Sequence, residues 1–426
     1  MKNVLVLGLG ASGVSAVDFL ANKGYLVYAY DRNFELFTDK AIVVKSFSSV
    51  PIDNLAFAVV SPGVDINSRC VLILKKAGVR LISELELGAS ACKGKIFAIT
   101  GTNGKTTCTH LLNHIFEVAG KESFMAGNVG IPISSKVKTI KKSAFVACEV
   151  SSFQMETTNV FKPKASVILN IEPDHLDRHK TMEEYVRLKT LVVKNAKHKI
   201  FNADNELSFE VGKKFKHAIF FSCNKITNGA YVLNGNVFYK NKIIMPLCEI
   251  KLKGRKNLEN ILACVTLARL AGVSPEQIRR GVSSFGGLEH RIEVVGEYCG
   301  VTFVNDSKST NVASTLCALE AFKGENIILL LGGKSKQIDF NPIFGFNLKS
   351  VICYGECGAE IFASAKAREV HLENTLKDAF RKAVSDAGEG DIILLSPACA
   401  SFDEFSGFEE RGKFFKSLFF RLKKGE

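Results

Sequence analysis

A glycine-containing loop between a strand and a helix has the residue types that phosphate chemistry needs. The apolar run Lys95–Thr100 predicts the strand, and Cys108–Ala119 predicts the helix. Small residues in the segment Gly101–Thr107 let successive backbone N–H groups point at phosphate oxygens. Lys105 can place a point charge on the β- and γ-phosphates, and the Thr106 hydroxyl can ligate Mg²⁺. The loop therefore predicts a site for a nucleoside triphosphate and its metal ion.

A second glycine motif, G-x-G-x-x-G at Gly8–Gly13, follows the strand-like run Val4–Leu7 and opens the helical stretch Ser12–Lys23. Asp31 comes directly after the next strand-like run, Leu26–Tyr30. Read alone, this pattern predicts a dinucleotide site with Asp31 on a ribose. The physics requires only a diphosphate near exposed backbone N–H groups, so UDP satisfies the motif as well as NAD does.

Four single residues have chemistry that their local sequence leaves open. Glu149 ends the apolar run Ala144–Glu149, where a carboxylate oxygen suits Mg²⁺. His175 would more often be a surface histidine than a ligand, and Lys189 would by default be a solvated helix lysine. Asp306, after an apolar strand, could hold a ribose or cap a helix.

The elements that must position these residues form three α/β units in series. The expected domains are residues 1–92, 93–288 and 289–426, because 426 residues exceed one ordinary hydrophobic core. The first and last are expected to be Rossmann-like, and the central one a P-loop-type ATPase domain. The turn-rich stretch Asn224–Asn241 suggests hairpins, and the apolar stripe at Phe414–Leu422 suggests a docked terminal helix.

The composition favours a soluble protein that handles anions. Hydrophobic residues make up 46% and charged residues 23%, and no apolar run approaches a membrane span. The net charge of +13 suits anionic small molecules, and the spread of Lys and Arg along the chain argues against nucleic acid. Twelve cysteines without a CxxC pair favour free thiols in a reducing cytoplasm.

The loop Gly101–Thr106 closely resembles the ATP loop of the Mur ligases and the folylpolyglutamate synthetases. The resemblance to the Mur ligase family runs over nearly the whole chain. Gly127–Gly130 resembles the family's substrate-side turn, and Glu149–Gln154 resembles its strand with a metal-binding glutamate. Asn170–Asp177 resembles its histidine motif, and Asn305–Asn311 resembles the start of its third domain.

The resemblance implies a set of site residues. The implied catalytic residues are Lys105, His175 and Lys189, the last as a carbamate. The implied metal ligands, for two Mg²⁺ ions, are Thr106, Glu149, His175 and Lys189. The implied ATP contacts are Gly101, Thr102, Asn103, Gly104, Lys105, Thr106, Thr107, Asn257, Asn260, Arg291 and Asp306. The implied substrate contacts are Gly10, Ser12, Asp31, Arg32, Ser61, Gly63, Asn128, Lys308, Thr310, Lys336, Ser401, Phe402 and Phe408.

Both ends of the chain resemble the branch of the family that adds D-glutamate. The segments that carry this likeness are Gly8–Gly13, Ser61–Gly63, Leu395–Phe405, Phe408 and Glu409–Gly412. The resemblance implies that ATP drives the joining of D-glutamate to UDP-N-acetylmuramoyl-L-alanine through an acyl phosphate, in cytoplasmic peptidoglycan precursor synthesis. It also implies a monomer that neither binds nucleic acid nor inserts into a membrane.

Three other protein classes remain as alternatives. A folylpolyglutamate synthetase shares the ATP loop but should lack a UDP-binding first domain. An NAD-dependent oxidoreductase fits the first glycine motif and has no use for Gly104–Thr106. A non-catalytic nucleotide-binding module would not need Glu149, His175 and Lys189 together.

Overall fold

The computed structural model describes residues 2–33, 39–334, 339–365 and 367–425. The chain divides into two compact units. The first consists of Met1–Ile250 with Glu259–Phe285, and the second of Lys251–Leu258 with Gly286–Glu426. The domain limits expected after residues 92 and 288 stay predictions.

The N-terminal part of the first unit contains a five-stranded parallel sheet. Its elements are β1 Asn3–Leu7, α1 Ala11–Ala21, β2 Leu26–Tyr30, β3 Ile42–Val43, β4 Leu55–Val60, α2 Arg69–Lys76, β5 Leu81–Ser83 and α3 Glu84–Ala91, with 3₁₀ turns at Phe47–Ser49 and Ile52–Asn54. The strand order is β3-β2-β1-β4-β5. Val4 and Val6 enter one apolar cluster while Leu5 and Leu7 enter another, as the two-residue period of a doubly covered strand requires.

The remaining part of this unit contains a six-stranded parallel sheet. The elements are β6 Lys95–Thr100, α4 Lys105–Val118, β7 Ser123–Gly127, α5 Ile133–Lys136, β8 Phe145–Glu149, α6 Ser152–Met155, β9 Ala165–Ile168, α7 Leu176–His179, α8 Met182–Lys194, β10 His198–Asn202, α9 Glu206–Lys213, β11 Ile219–Phe221, β12 Ala230–Leu233, β13 Asn236–Tyr239, β14 Lys242–Pro246, α10 Arg255–Leu270 and α11 Pro275–Ser284, with a 3₁₀ turn at Leu247–Glu249. The sheet order is β11-β10-β9-β6-β8-β7, and β12–β14 form a separate antiparallel sheet. In this order β6 stands between β8 and β9, so the chain leaves β6 toward one side of the sheet and later continues on the other side. The loop after β6 therefore lies at a topological switch point, where ligands of α/β sheets bind.

The second unit contains a mixed six-stranded sheet. Its elements are β15 Glu293–Tyr298, β16 Val301–Asn305, α12 Val312–Ala321, β17 Asn326–Gly332, β18 Leu348–Tyr354, α13 Gly358–Ser364, β19 Glu369–Leu372, α14 Leu376–Asp386, β20 Asp391–Ala398 and α15 Phe408–Lys424, with a 3₁₀ turn at Asn341–Gly345. The order is β15-β16-β20-β17-β18-β19, with only the β15–β16 pairing antiparallel among the described strand pairs. The loops after β16, β17 and β20 share one edge of this sheet.

The predicted elements have the observed type, although several bounds differ by one to three residues. The strands predicted at Leu26–Tyr30, Lys95–Thr100 and Val301–Asn305 have the predicted bounds. The helix predicted from Cys108 begins at Lys105 instead, because the last residues of the glycine loop form its first turn. The terminal stripe is a docked helix, α15, whose Phe415, Leu418 and Phe419 are buried. Within the described part of the chain, every helix is too short or too polar to span a bilayer.

Candidate active site

A cavity of about 480 Å³ opens at the carboxyl ends of β1 and β4 in the first unit. It is lined by all six residues predicted to contact substrate in the first domain: Gly10, Ser12, Asp31, Arg32, Ser61 and Gly63. The cavity lies between the two neighbouring strands at which the strand order reverses, the usual binding crevice of an open α/β sheet.

The first glycine turn is tightly packed. Gly8 has φ +84°, and a Cβ at Gly13 would lie 1.7 Å from the carbonyl oxygen of Gly8. Ser61 Oγ donates to the same carbonyl at 2.8 Å. The Asp31 carboxylate accepts from the Leu9 N–H at 2.5 Å and from the Asn33 N–H at 2.9 Å, so its oxygens hold the turn. The uncapped start of α1 at Gly10 leaves helix N–H groups for a diphosphate.

The second glycine turn is held by one asparagine that sequence reasoning did not assign. Asn170 accepts from the N–H of Thr102 through its backbone carbonyl at 3.0 Å and from the N–H of Asn103 through Oδ1 at 2.8 Å. Gly104 has φ +84°, and a Cβ there would lie 2.3 Å from Oδ1 of Asn260. Asn260, predicted to contact ATP, thus lies directly against the loop.

Two lysine ammonium groups meet at this loop. Lys105 Nζ donates to the carbonyls of Gly101 at 2.9 Å and Thr102 at 2.8 Å. Lys189 Nζ donates to the same Gly101 carbonyl at 2.7 Å and lies 4.4 Å from the centroid of the Tyr185 ring. Lys189 is 1% exposed, so the default interpretation of a solvated lysine is wrong. Burial, followed by the charge of Lys105, holds the pKa of Lys189 well below its usual range.

Glu149 supplies a buried carboxylate at the end of β8. It is 1% exposed, and its Oε1 accepts from Asn128 Nδ2 at 3.0 Å. Its Oε2 is enclosed and has no hydrogen-bond partner among the described residues. Because an enclosed, unsatisfied carboxylate oxygen is rare in folded proteins and hard cations prefer oxygen ligands, this donor fits Mg²⁺. Thr106 lies in the first turn of α4, which starts at the same edge of the sheet.

His175 is held at the rim by its backbone and by an aromatic neighbour. Its φ of 55° is in the left-handed region, where non-glycine residues are uncommon. The imidazole lies 4.8 Å from the ring centroid of Phe153 and 3.4 Å from the Asp174 carboxylate, with 44% of the side chain exposed. The ring is thus oriented and still accessible, as a ligand or a proton-transfer group must be.

In the second unit, Asp306 follows β16 and is not a helix cap. The cap of α12 is Asn311, whereas Asp306 accepts from Ser309 Oγ at 2.5 Å, Ser396 Oγ at 2.8 Å and the Ile292 N–H at 3.1 Å. Burial raises the pKa of Asp306 to about 6 against the lowering effect of these hydrogen bonds. The predicted neighbour Arg291 is close enough to lower that pKa as well.

The substrate contacts predicted in the second unit are partly assembled at one edge of this sheet. Lys308 Nζ lies 4.2 Å from the ring centroid of Phe408, and burial lowers the pKa of Lys308. The Thr310 N–H donates to the carbonyl of Lys308 at 2.8 Å. Ser401 is buried, while Phe402 is 65% exposed. Lys336 lies outside the described residues.

Comparison with known proteins decides the family. The profiles described as "Mur ligase MurD-like, N-terminal domain", "Mur ligase middle domain" and "Mur ligase, glutamate ligase domain" match residues 2–83, 99–268 and 290–399. The UDP-N-acetylmuramoylalanine–D-glutamate ligase of Koribacter versatilis is 38% identical over 439 residues, covering 98% of this chain and 97% of that protein. The corresponding ligase of Acidobacterium capsulatum is 40% identical over 442 residues, covering 98% and 96%.

This chain belongs to the Mur ligase family. The three-domain α/β fold class predicted from the sequence is confirmed by the three profile matches. A UDP-N-acetylmuramate-alanine ligase from Thermotoga maritima aligns over 100% of both chains with a TM-score of 0.61 and 17% identity, so the two share a fold.

One further residue of this Mur ligase escaped the sequence prediction. Arg411 is fully buried, and its guanidinium donates to the carbonyl of Ser307 at 2.8 Å, to that of Cys399 at 3.1 Å and to that of Ala400 at 3.3 Å. It thereby ties the loop that carries Lys308 to the loop that carries Ser401. A signal was present, since an arginine four residues before Phe415 lies on the apolar face of α15.

Asn257 and Asn260 were both predicted to contact ATP, but their side chains have different surroundings. Both lie on α10, but Asn257 belongs to the second unit, where its Nδ2 donates to the carbonyl of Lys253 at 2.7 Å. Its predicted role in this ligase therefore stays a prediction.

Proposed function

We propose that this Mur ligase joins D-glutamate to UDP-N-acetylmuramoyl-L-alanine at the expense of ATP. The observation that carries the proposal is the grouping of Lys105, Lys189 and the unsatisfied Glu149 oxygen at one edge of the central sheet. Two relatives named UDP-N-acetylmuramoylalanine–D-glutamate ligase are 38% and 40% identical to this chain over nearly its whole length. Their name supports the identity of the two substrates.

The chemistry is the activation of a carboxylate. An amine cannot displace oxide from a carboxylate at useful rates. The γ-phosphoryl group of ATP is transferred to the terminal alanine carboxylate, which gives an acyl phosphate and ADP. The amine of glutamate attacks the acyl carbon, loses a proton and expels inorganic phosphate from the tetrahedral intermediate, which leaves an amide. Water must be excluded throughout, because hydrolysis of the acyl phosphate is the competing reaction.

The chain's own residues divide this work between binding and charge stabilisation. Lys105 orients and neutralises the migrating phosphoryl group, and the loop Gly101–Thr107 cradles the phosphates. We assign Mg²⁺ ligation to Thr106, Glu149, His175 and Lys189, for two ions. When bound, Mg²⁺ offsets the negative charge that builds up on the transferred group. Asn128 orients Glu149 through its 3.0 Å hydrogen bond.

Lys189 is proposed to act as a carbamate. A neutral amine adds CO₂ and releases a proton, which gives an anionic group with two oxygens. Burial favours the neutral amine, and the low pKa of Lys189 follows from that burial. A carbamate would replace a cation that repels Mg²⁺ with a ligand that a hard cation prefers.

The second unit is proposed to supply the remaining contacts. Within it, Asn257, Arg291 and Asp306 are assigned to ATP. Lys308, Thr310, Lys336, Ser401, Phe402 and Phe408 are assigned to glutamate and the acceptor. The ammonium of Lys308 over Phe408 supports a site for a carboxylate with one aromatic wall.

The enzyme is proposed to be a cytoplasmic monomer. The cysteines are all free thiols in the structure, which suits a reducing compartment.

The test is phosphate release with ATP, Mg²⁺ and UDP-N-acetylmuramoyl-L-alanine across a panel of amino acids. We expect release with D-glutamate and none when either the UDP-sugar or the amino acid is omitted. Release with L-glutamate and a folate in place of the UDP-sugar would instead identify a folylpolyglutamate synthetase. Binding of nucleotide without release under any combination would identify a non-catalytic module.

A further inference from the structure

Three side chains in or next to the short helices α6 and α7 are arranged as a hydrogen-bonded serine, histidine and carboxylate. Ser152 Oγ lies 2.9 Å from Nε2 of His179. His179 Nδ1 lies 3.3 Å from Oε1 of Glu156. This connectivity, with the hydroxyl on one ring nitrogen and the carboxylate on the other, is that of a hydrolase triad.

Nucleophilic catalysis by this triad is excluded by access and by charge. Ser152 is 3% exposed and His179 is 5% exposed, so no substrate carbonyl can reach the hydroxyl. The carboxylate is also engaged from outside, because Arg178 donates to Glu156 through Nε at 3.0 Å and through Nη2 at 2.5 Å. Because its side chains are enclosed and hydrogen-bonded, this network can hold neighbouring residues in place but cannot turn over a substrate.

The positions of the three residues in the chain show what the network restrains. Ser152 is the first residue of α6 and comes three residues after Glu149. His179 is the last residue of α7 and comes four residues after His175. We propose that Ser152, His179 and Glu156 are positioning residues that fix the separation between the carboxylate of Glu149 and the imidazole of His175. The proposal rests on the assignment of those two residues to Mg²⁺.

An aromatic ring strengthens this connection from α6. The centroid of the Phe153 ring lies 4.8 Å from that of His175 and 5.1 Å from that of His179. The Arg178 guanidinium lies 4.5 Å from the same centroid. Phe153, next to Ser152, therefore contacts the face of α7 that presents His175. A four-residue helix has little stability of its own, so these contacts decide where it lies.

The network also reaches the phosphate loop. The ring of His179 stacks on Tyr185 with a centroid separation of 5.5 Å. The Tyr185 hydroxyl lies 3.2 Å from Thr102 Oγ1, and the Tyr185 ring faces the Lys189 ammonium. Displacement of His179 would thus be felt at the loop as well as at His175.

Arg178 connects the network to the cavity at the carboxyl ends of β1 and β4. Its Nη2 donates to the carbonyl of Val64 at 2.9 Å, and Val64 lines the cavity proposed for the UDP-sugar. Both partners lie in the first unit. Arg178 is therefore a single side chain through which the cavity and the metal ligands can be coupled. Lysine, which lacks the planar fork, cannot make the bidentate contact to Glu156 and the contact to Val64 together.

The experiment measures metal binding directly, with Mn²⁺ and ADP as probes in electron paramagnetic resonance titrations of the full chain. We expect His179→Phe, which keeps a ring but loses both hydrogen bonds, to weaken Mn²⁺ binding about tenfold, as loss of an outer-shell partner does. Ser152→Ala should weaken it less. Arg178→Lys should weaken binding of UDP-N-acetylmuramoyl-L-alanine, measured by calorimetry, by about tenfold.

The matched control is Thr266→Val. Thr266 is fully buried, and its hydroxyl bridges the carbonyl of Leu262 and the N–H of Ala230 in the same unit. It should lower the unfolding midpoint without changing Mn²⁺ binding. Wild-type Mn²⁺ affinity in both His179→Phe and Ser152→Ala would overturn the positioning role. If His179→Phe fails to fold, Ser152→Ala decides.

Glu149→Gln separates this inference from the proposed function. If Glu149→Gln weakens Mn²⁺ binding and the network variants do not, only the positioning role is wrong. If Glu149→Gln binds Mn²⁺ as the wild type does, the metal assignment is wrong and the positioning role falls with it.

Discussion

The two glycine turns of the first unit follow parallel strands and open helices, yet they present different chemistry to a phosphate. At the first turn, the loop is held by a carboxylate, since Asp31 accepts from the Leu9 N–H. At the second, the Nζ atoms of two lysines, Lys105 and Lys189, converge on the carbonyl of Gly101. Glu149 adds a carboxylate oxygen with no hydrogen-bond partner among the residues described.

The difference corresponds to the two tasks that this ligase has for a diphosphate-containing ligand. Binding an intact UDP-sugar needs helix N–H groups and a shaped cavity. Breaking a phosphoanhydride needs positive charge placed where negative charge develops, in a site shielded from water. The glycine pattern is common to both turns, so we expect the side chains that converge on each turn to separate binding from catalysis.

The largest expected effect is at the second turn. Lys105→Ala should lower the rate of phosphate release by on the order of 10²–10³-fold, because a charge on the transferred phosphoryl group is lost. The affinity for UDP-N-acetylmuramoyl-L-alanine, measured by calorimetry, should be unchanged. Lys121→Ala, an exposed lysine just beyond α4, is the control. Near-normal turnover in Lys105→Ala would remove the catalytic distinction between the turns.

Lys189→Ala should lower turnover by about a hundredfold, at the lower end of the effect of one electrostatic group. Added acetate or another short carboxylate should restore part of the activity by occupying the vacated space. Lys194→Ala, an exposed lysine on the same helix, should be fully active. Full activity of Lys189→Ala would mean that Lys189 has no catalytic role, whereas an inactive variant without rescue would show that Lys189 is required but would leave the carbamate unsupported.

At the first turn, two neighbouring glycines should behave differently. Gly13→Ala places a Cβ 1.7 Å from the Gly8 carbonyl and should lower the free energy of unfolding by roughly 1–3 kcal/mol, the cost of overpacking. Gly10→Ala meets no atom within 4 Å, so its unfolding midpoint should not change.

The same pair reports on the cavity. The new methyl group of Gly10→Ala stands at the start of α1 and should weaken UDP-sugar binding about tenfold, or roughly 1.4 kcal/mol. Thermal unfolding and calorimetry of both variants provide the test. Equal destabilisation of the two would show that the tight packing of this turn is not specific to Gly13.

The smallest effect is the response of the first turn to NAD. NAD should produce no shift in the unfolding midpoint of the wild-type chain, because residues 2–83 match the MurD-like N-terminal domain profile. Asp31→Ala should lower the free energy of unfolding by about 1–3 kcal/mol, since a partly buried N–H loses its acceptor. A midpoint that rises with NAD and not with the UDP-sugar would reverse the assignment of the first turn.

The sequence alone determined the local parts of this protein. Both glycine turns, the strand before each and the carboxylate that ends β8 could be predicted, because each depends on fewer than ten consecutive residues. Strand bounds were predictable where an apolar run ends at a glycine or a polar residue, as at Thr100 and Tyr30. The start of α4 was missed because Lys105, Thr106 and Thr107 serve the loop and the helix at once.

The tertiary structure alone decided which side chains surround those turns. Lys189 reads as a solvated helix lysine until α8 packs beneath the Gly101 carbonyl, where burial lowers its pKa. Neither the support of the loop by Asn170 nor the bridge from Ser152 to His179 is visible in the sequence, because each joins residues 27 or more positions apart. Local patterns report backbone conformation, whereas burial and partnership depend on long-range packing, and these set the charge state and the orientation of the groups that do the chemistry.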